Sequence, residues 1–358
     1  MAIAGVTWTA EQARAVTAAG DVLLSASAGT GKTTTVVGKI LWLLGLEAGR
    51  SGDPPRPLPG CPEPCRLDQI AAITFTEKAA YDLKGKLRAE IEASERADEL
   101  RWEIDRASVG TIHGFCAELL REHALRLEID PTFRVLDERE TRVHQDELLR
   151  DVLREALAAA EPEARELVRR FKGMYDGTHQ KGAIGNVREV MRDLRWHSRR
   201  YSKWVESDPT GDQRLDPELV WAIAGRLGLA DEDETLRAHD ETSLRVAAHL
   251  YRYAYRALAR WLSWLEAENL RDFDSLILDA RRLLTRPGTR AALEAVRSRY
   301  RILIIDEFQD TDAAQRDIAF AIAGLPVPGS SEPDPAGKRP QLFLVGDPKQ
   351  SIYGFRGA

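Results

Sequence analysis

The chain is poor in cysteine, has no long hydrophobic run and carries no excess of positive charge. Three cysteines, Cys61, Cys65 and Cys116, stand among 358 residues. An odd, low number excludes a disulfide-stapled secreted scaffold and fits a reducing compartment, so a cytoplasmic location is expected. No apolar stretch reaches the ~18 residues of a membrane span, and membranes are not expected among the partners. The N-terminal MAIAGVTWTAEQ lacks the basic-then-apolar order of a signal peptide. A net charge of −6 excludes indiscriminate phosphate binding over the whole surface. It leaves room for a local basic groove, because binding follows the distribution of charge rather than its sum. The CPEPC stretch from Cys61 to Cys65 has the spacing of a metal loop but no second pair nearby. It reads as reduced thiols in a surface loop.

What is present is an ordinary globular composition, 43% hydrophobic and 30% charged, in a length that predicts two or three domains. Thr9-Ala10-Glu11-Gln12 has the form of a capping box opening a short helix. DVLLSAS (21–27), QIAAITF (69–75), SVGTI (108–112), RYRILIID (299–306) and QLFLVGD (341–347) read as buried strands. Helical stretches follow the first three, at 32–46, 76–93 and 113–127. Strands alternating with helices predict an α/β fold, a parallel sheet covered on both faces. Residues 49–66 and 326–340, rich in Pro and Gly, read as surface loops. From about 138 to 267 the pattern is helical and charged, without strand-like runs. The expected architecture is therefore an α/β domain, residues 1–137 plus 268–358, interrupted by an inserted all-helical domain, 138–267.

Between the first strand and its helix lies ASAGTGKT, residues 26–33. It ends in the Gly-Lys-Thr of a P-loop, although Ala26 stands where the strict pattern has its first glycine. Backbone N–H groups of such a loop wrap phosphates and the helix N-terminus adds its dipole. Lys32, expected to face solvent in an empty loop, would reach the β- and γ-phosphates of ATP, and the Thr33 hydroxyl would ligate Mg²⁺. In LIIDEFQDTD an apolar strand delivers Asp306 and Glu307 at its C-terminal end, where α/β sheets bind ligands. Asp306 suits a Mg²⁺ role and Glu307 the base that orients an attacking water. A flexible turn and a dipole-complementing acidic helix start are the plainer readings. They fit the joint occurrence of the two motifs poorly. A guanine-reading Asn-Lys-x-Asp is absent, against a GTPase.

SASAGTGKTTT, ITFTEKAA, VGTIHGFC, LIIDEFQDTD and LFLVGDPKQSIYGFRGA, in that order, resemble successive motifs of superfamily 1 DNA helicases of the UvrD type. The spellings GDPKQ, TFTEKAA and GTIHGFC lean towards the RecB/AddA-like branch. The matches span residues 12–358. The resemblance implies a RecA-like P-loop NTPase sheet and an ATP-dependent 3′-to-5′ DNA helicase or translocase of DNA repair and recombination, acting on single-stranded or tailed duplex DNA. It implies an ATP site of Ser25, Ala26, Ser27, Ala28, Gly29, Thr30, Gly31, Lys32, Thr33 and Thr34, with Gln12 reading adenine and Gln350 sensing the γ-phosphate. It places Thr74, Phe75, Thr76, Thr111, His113, Tyr353, Phe355 and Arg356 in motifs that touch single-stranded DNA. In the family a second RecA-like domain and an arginine finger follow the last of these motifs. The chain is accordingly read as an N-terminal portion, with a partner chain carrying the missing domain or a nuclease subunit. The alternative is an ATP- and DNA-binding module without helicase activity.

Other readings stand beside these. Gln12 can simply close its capping box, His113 can start a helix without a ligand, and Tyr353 and Phe355 can be core aromatics. RDLRWHSRRYSKW (192–204) mixes basic and aromatic residues and reads either as a nucleic-acid surface or as an amphipathic helix, the second favoured. Asp272 reads as the cap of a helix, and the stretch around Trp261 to Leu265 as a packed helix.

Overall fold

The computed structural model describes residues 3–26, 31–175, 177, 181–196, 240–328 and 339–347. The chain divides into two compact units, one of residues 1–132 and 274–358 and one of residues 133–273.

The first unit opens with β1 (Thr7–Trp8) and α1 (Ala10–Thr17). Thr9 caps α1, its side chain accepting the Gln12 N–H while the Gln12 side chain accepts the Thr9 N–H, a reciprocal capping box. Then come β2 (Val22–Ser25), α2 (Lys32–Leu43), β3 (Arg50–Ser51), β4 (Arg56–Pro57), β5 (Ile70–Thr74), α3 (Glu77–Glu92), α4 (Ala97–Leu100), β6 (Ser108–Thr111) and α5 (Ile112–Glu122). Every residue of α2 from Thr35 to Leu43 is buried, so this helix lies within the core rather than on it. Segment 49–66 is more than the surface loop its composition suggests. β3 and β4 join β1 in a three-stranded sheet, and Cys65 is buried with its N–H on the Leu43 carbonyl. The cause is Trp8: its buried indole donates to the Ala48 carbonyl at 2.5 Å and draws the segment inward. Gly49, at φ +91°, passes so close that a Cβ there would lie 2.5 Å from Trp8 Nε1.

The second unit holds β7 (Arg134–Val135), α6 (Glu138–Ala158), α7 (Pro162–Arg170), α8 (Ala183–Trp196), α9 (Asp240–Ala267) and β8 (Leu270–Arg271). Among its described residues the regular structure between 138 and 267 is helical throughout. Its core is built from Leu153, Leu167, Val187, Leu250, Tyr253 and Ala257. β7 and β8 pair in parallel, which carries the unit's edges out to 133 and 273. Residues 197–204 of the basic–aromatic stretch lie outside the described residues. Of the rest, Arg195 is buried against Asp272.

The chain re-enters the first unit through α10 (Phe273–Thr285), α11 (Arg290–Arg299), β9 (Ile302–Ile305), α12 (Ala313–Ile322) and β10 (Gln341–Gly346). The main sheet has the order β2-β10-β9-β5-β6, all parallel. Two strands from the far end of the chain are thus wedged between β2 and β5. The α/β class and parallel sheet expected from the sequence are present. β9 is buried along its whole length, as is β10 after Gln341, which the unbroken apolar runs of a doubly covered parallel sheet require.

Candidate nucleotide-binding site

Parallel strands end on one edge, and the wedge decides what meets there. β2 stops at Ser25 beside Gly346 of β10, which in turn flanks β9 and its Asp306. The Ala26 N–H donates to the Gly346 carbonyl at 3.1 Å, tying the start of the phosphate loop to the last residue of β10. Ser27, Ala28, Gly29 and Thr30 lie outside the described residues. Gly31 holds φ +85°, a left-handed conformation that favours glycine, and begins α2 without any side-chain cap. The first-turn N–H groups of Lys32, Thr33 and Thr34 thus lack intrahelical acceptors, with the positive end of the helix dipole behind them.

Lys32 does not face solvent. Its side chain is only 9% exposed and its Nζ lies 2.8 Å from Glu307 Oε2. Glu307 itself sits at φ +53°, a conformation that costs a non-glycine residue on the order of 1–3 kcal/mol and that clusters at functional sites. Burial pushes the Glu307 carboxyl upward, but hydrogen bonds from Gln309 and Lys32 and the Lys32 charge outweigh it, so its pKa falls below the usual value. Asp306 goes the other way. It is 9% exposed, and burial together with the neighbouring Glu307 charge raises its pKa, only partly opposed by the Glu307 N–H and Lys32. A buried carboxylate held short of positive charge fits a cation-binding role. Asp310 is raised too, by burial and by Glu307, and its buried Oδ1 has no hydrogen-bond partner among the described residues.

Gln12 closes the capping box expected of it. The capping box holds its Oε1, and a Cβ built on Gly31 would lie 3.7 Å from its Nε2. The cap therefore places the amide beside the phosphate loop.

The candidate DNA-contacting residues separate by burial. Thr74 and Thr111, paired across β5 and β6, are buried. Thr74 Oγ1 donates to the Thr76 carbonyl. Thr111 caps α5, accepting the Gly114 N–H, and donates to Glu77 Oε1 at 2.9 Å. Their side chains serve the turns rather than the surface. Thr76, which caps α3 through the Ala79 N–H, is exposed, and Phe75 and His113 are half-buried on the same edge. Tyr353, Phe355, Arg356 and Gln350 lie outside the described residues.

The profile of the UvrD/REP helicase N-terminal domain family matches residues 8–358. The chain belongs to this family. Its curated relatives include proteins named as the A-type subunit of an ATP-dependent helicase/nuclease. That of Exiguobacterium sibiricum is 26% identical, the alignment covering 99% of this chain and 36% of the relative. Those of Pelotomaculum thermopropionicum and Moorella thermoacetica are each 32% identical, over 67% and 59% of this chain and 18% and 14% of theirs. The chain thus spans about a third or less of the length of these relatives.

Two participants escaped the reading of the sequence. Gln309 bridges Glu307 and the backbone of Asp347. Its place inside DEFQD was visible, but its partner 38 residues on was not. Lys39 is wholly buried in α2, donating to the Ala18 carbonyl at the end of α1 at 2.5 Å and lying over the Trp42 ring at 4.5 Å. A lysine inside an apolar run (VVGKILWL) is its sequence signal.

Proposed function

We propose that the chain is the ATP-binding motor portion of a 3′-to-5′ DNA helicase or translocase of DNA repair and recombination, taking ATP with Mg²⁺ and moving on single-stranded or tailed duplex DNA. The observation that carries this is the Lys32–Glu307 pair beside the buried Asp306, at the end of an uncapped helix. A phosphate chain entering there offers Lys32 a stronger partner and releases Glu307. Lys32 would then hold the β- and γ-phosphates, and Glu307, ionised at neutral pH, would accept a proton from the attacking water. Thr33 and Asp306 would hold Mg²⁺. When bound, Mg²⁺ neutralises charge on the phosphate oxygens. Gln12 would read adenine and Gln350 would sense the γ-phosphate.

On the DNA side, Phe75, Thr76 and His113 would supply the contacts, with Thr74 and Thr111 as supports; the resemblance adds Tyr353, Phe355 and Arg356, which lie outside the described residues. Aromatic rings bind bases without regard to sequence, for ~1–3 kcal/mol each. The groups around Glu307 reach the phosphates from one sheet edge. A second RecA-like domain, or a partner chain bearing one or a nuclease, would supply the cation on the opposite side, worth ~10³–10⁵ in rate. The test is Lys32→Ala and Glu307→Gln in equilibrium dialysis and single-turnover hydrolysis. Lys32→Ala should abolish Mg·ATP binding, while Glu307→Gln should bind and fail to hydrolyse. Unchanged ATP affinity in Lys32→Ala overturns the assignment.

A further inference from the structure

We propose that Gln309 is the positioning residue for Glu307, holding its carboxylate in place after Lys32 has left it for phosphate and tying that carboxylate to the end of β10. The proposal rests on the reading of Glu307 as the group that orients water.

The amide has one orientation. Gln309 Oε1 accepts the Asp347 N–H at 2.9 Å. A backbone N–H can only donate, so the oxygen must face β10 and the NH₂ must face the carboxylates. There Nε2 donates to Glu307 Oε2 at 2.7 Å and to Asp310 Oδ2 at 3.3 Å. Lys32 Nζ lands on the same Oε2. Both donors therefore grip one oxygen of Glu307 and leave Oε1 as the one available to a water. Of the two, only Gln309 has no reason to leave when nucleotide enters. The site is shaped around this amide: a Cβ on Gly346 would lie 2.6 Å from Gln309 Oε1, so the strand approaches as closely as glycine allows. The bridge also accounts for the strained Glu307 backbone, since residues 307 and 309 are held from both sides.

The chemistry follows. Glu307 faces Lys32 from α2, Asp347 from the end of β10, and Asp306 and Asp310 on its own segment. Three of these four neighbours are carboxylates. With Lys32 engaged by phosphate, the Gln309 NH₂ is the donor that still holds Glu307 Oε2.

Gln309→Leu removes the bonds to Asp347, Glu307 and Asp310. Gln309→Glu keeps an acceptor for the Asp347 N–H and replaces the donor to Glu307 with a like charge. Single-turnover hydrolysis with the chain in excess over ATP, measured beside Glu307→Gln and with ATP affinity determined in parallel, reads the effect. Gln309→Leu should bind Mg·ATP within about twofold of wild type and hydrolyse about a hundredfold more slowly. Gln309→Glu, which keeps the Asp347 bond and loses only the donor to Glu307, should be slowed as far, again with ATP affinity kept. A merely structural role would be met by Gln309→Glu and would lower affinity and rate together. A wild-type hydrolysis rate in both variants overturns the proposal, as does a loss confined to ATP affinity. Should Gln309→Leu fail to fold, Gln309→Glu tests the same point. Hydrolysis at the wild-type rate by Glu307→Gln instead overturns the role of Glu307, and the proposal with it.

Discussion

The two units each pair a buried cation with a carboxylate, and the pairs are built for opposite ends. In the helical unit Arg195 grips Asp272 with two parallel bonds of 2.6 and 2.7 Å, and Trp261 Nε1 adds a third at 2.9 Å. Both side chains are almost fully buried, 6% and 3% exposed. In the α/β unit Lys32 meets Glu307 through one bond, and Glu307 is about a third exposed. The first pair is bidentate, dry and doubly satisfied, so breaking it strands a charge. The second is single, partly wet and flanked by Asp306, whose pKa is raised by burial and by the Glu307 charge. A saturated pair fixes structure. An under-satisfied pair leaves its lysine able to exchange partners, as the proposed role of Lys32 requires.

The comparison breaks if the two pairs cost the same to cut. Asp272→Ala should be the most damaging change, destabilising the helical unit by about 3–5 kcal/mol in urea unfolding, because Arg195 keeps its buried charge and loses the carboxylate that answers it. Lys39→Met should act in the opposite sense. Burial, only partly offset by the charges of Cys61 and Cys65, brings the Lys39 pKa down from 10.5 to about 8. The variant keeps the side chain's length and leaves the Ala18 carbonyl to Gln341 Nε2, its second donor at 3.2 Å. It should be neutral to about 2 kcal/mol more stable at pH 7. From pH 8 to 10.5 the unfolded wild type binds the proton that the folded wild type has lost, so wild-type stability gains on the variant. Thermal melts at pH 7 and 10 check both statements; an advantage for Lys39→Met that grows with pH contradicts them.

Smaller effects probe the site itself. Gly346→Ala should displace the Gln309 amide at a cost of about 1 kcal/mol, one hydrogen bond's worth, and slow hydrolysis in the manner of Gln309→Leu. Unfolding and single-turnover measurements on the one variant separate the two effects. Lys32→Ala should cost less than about 1 kcal/mol in the same unfolding assay while losing ATP, since its pair is partly solvated. A loss as large as that of Asp272→Ala would show that Lys32–Glu307 is a lock after all.

Asp272 shows where reading the sequence stops. It was legible as a residue preceding a helix, and α10 does begin at Phe273. That its carboxylate is taken by an arginine 77 positions earlier was not legible, because no local pattern encodes a contact at that separation. Cys65 shows the same limit. CPEPC looks like surface by composition, yet Cys65 is buried, with its N–H on the Leu43 carbonyl at the end of the core helix α2. Lys32 was legible as a candidate phosphate ligand but not as a partner of Glu307, 275 residues away.

Local chemistry alone determined the strands as apolar runs, the capping boxes, the left-handed glycine of the phosphate loop and the acidic pair after β9. Each depends on residues a few positions apart, and steric and hydrogen-bonding rules act at that range. The tertiary structure decided the rest. Wedging β9 and β10 between β2 and β5 set Lys32 against Glu307 and brought Gln309 under Asp347. Strand order is chosen by burying whole faces of sheet and helix together, a sum over the entire core that no short stretch of sequence contains.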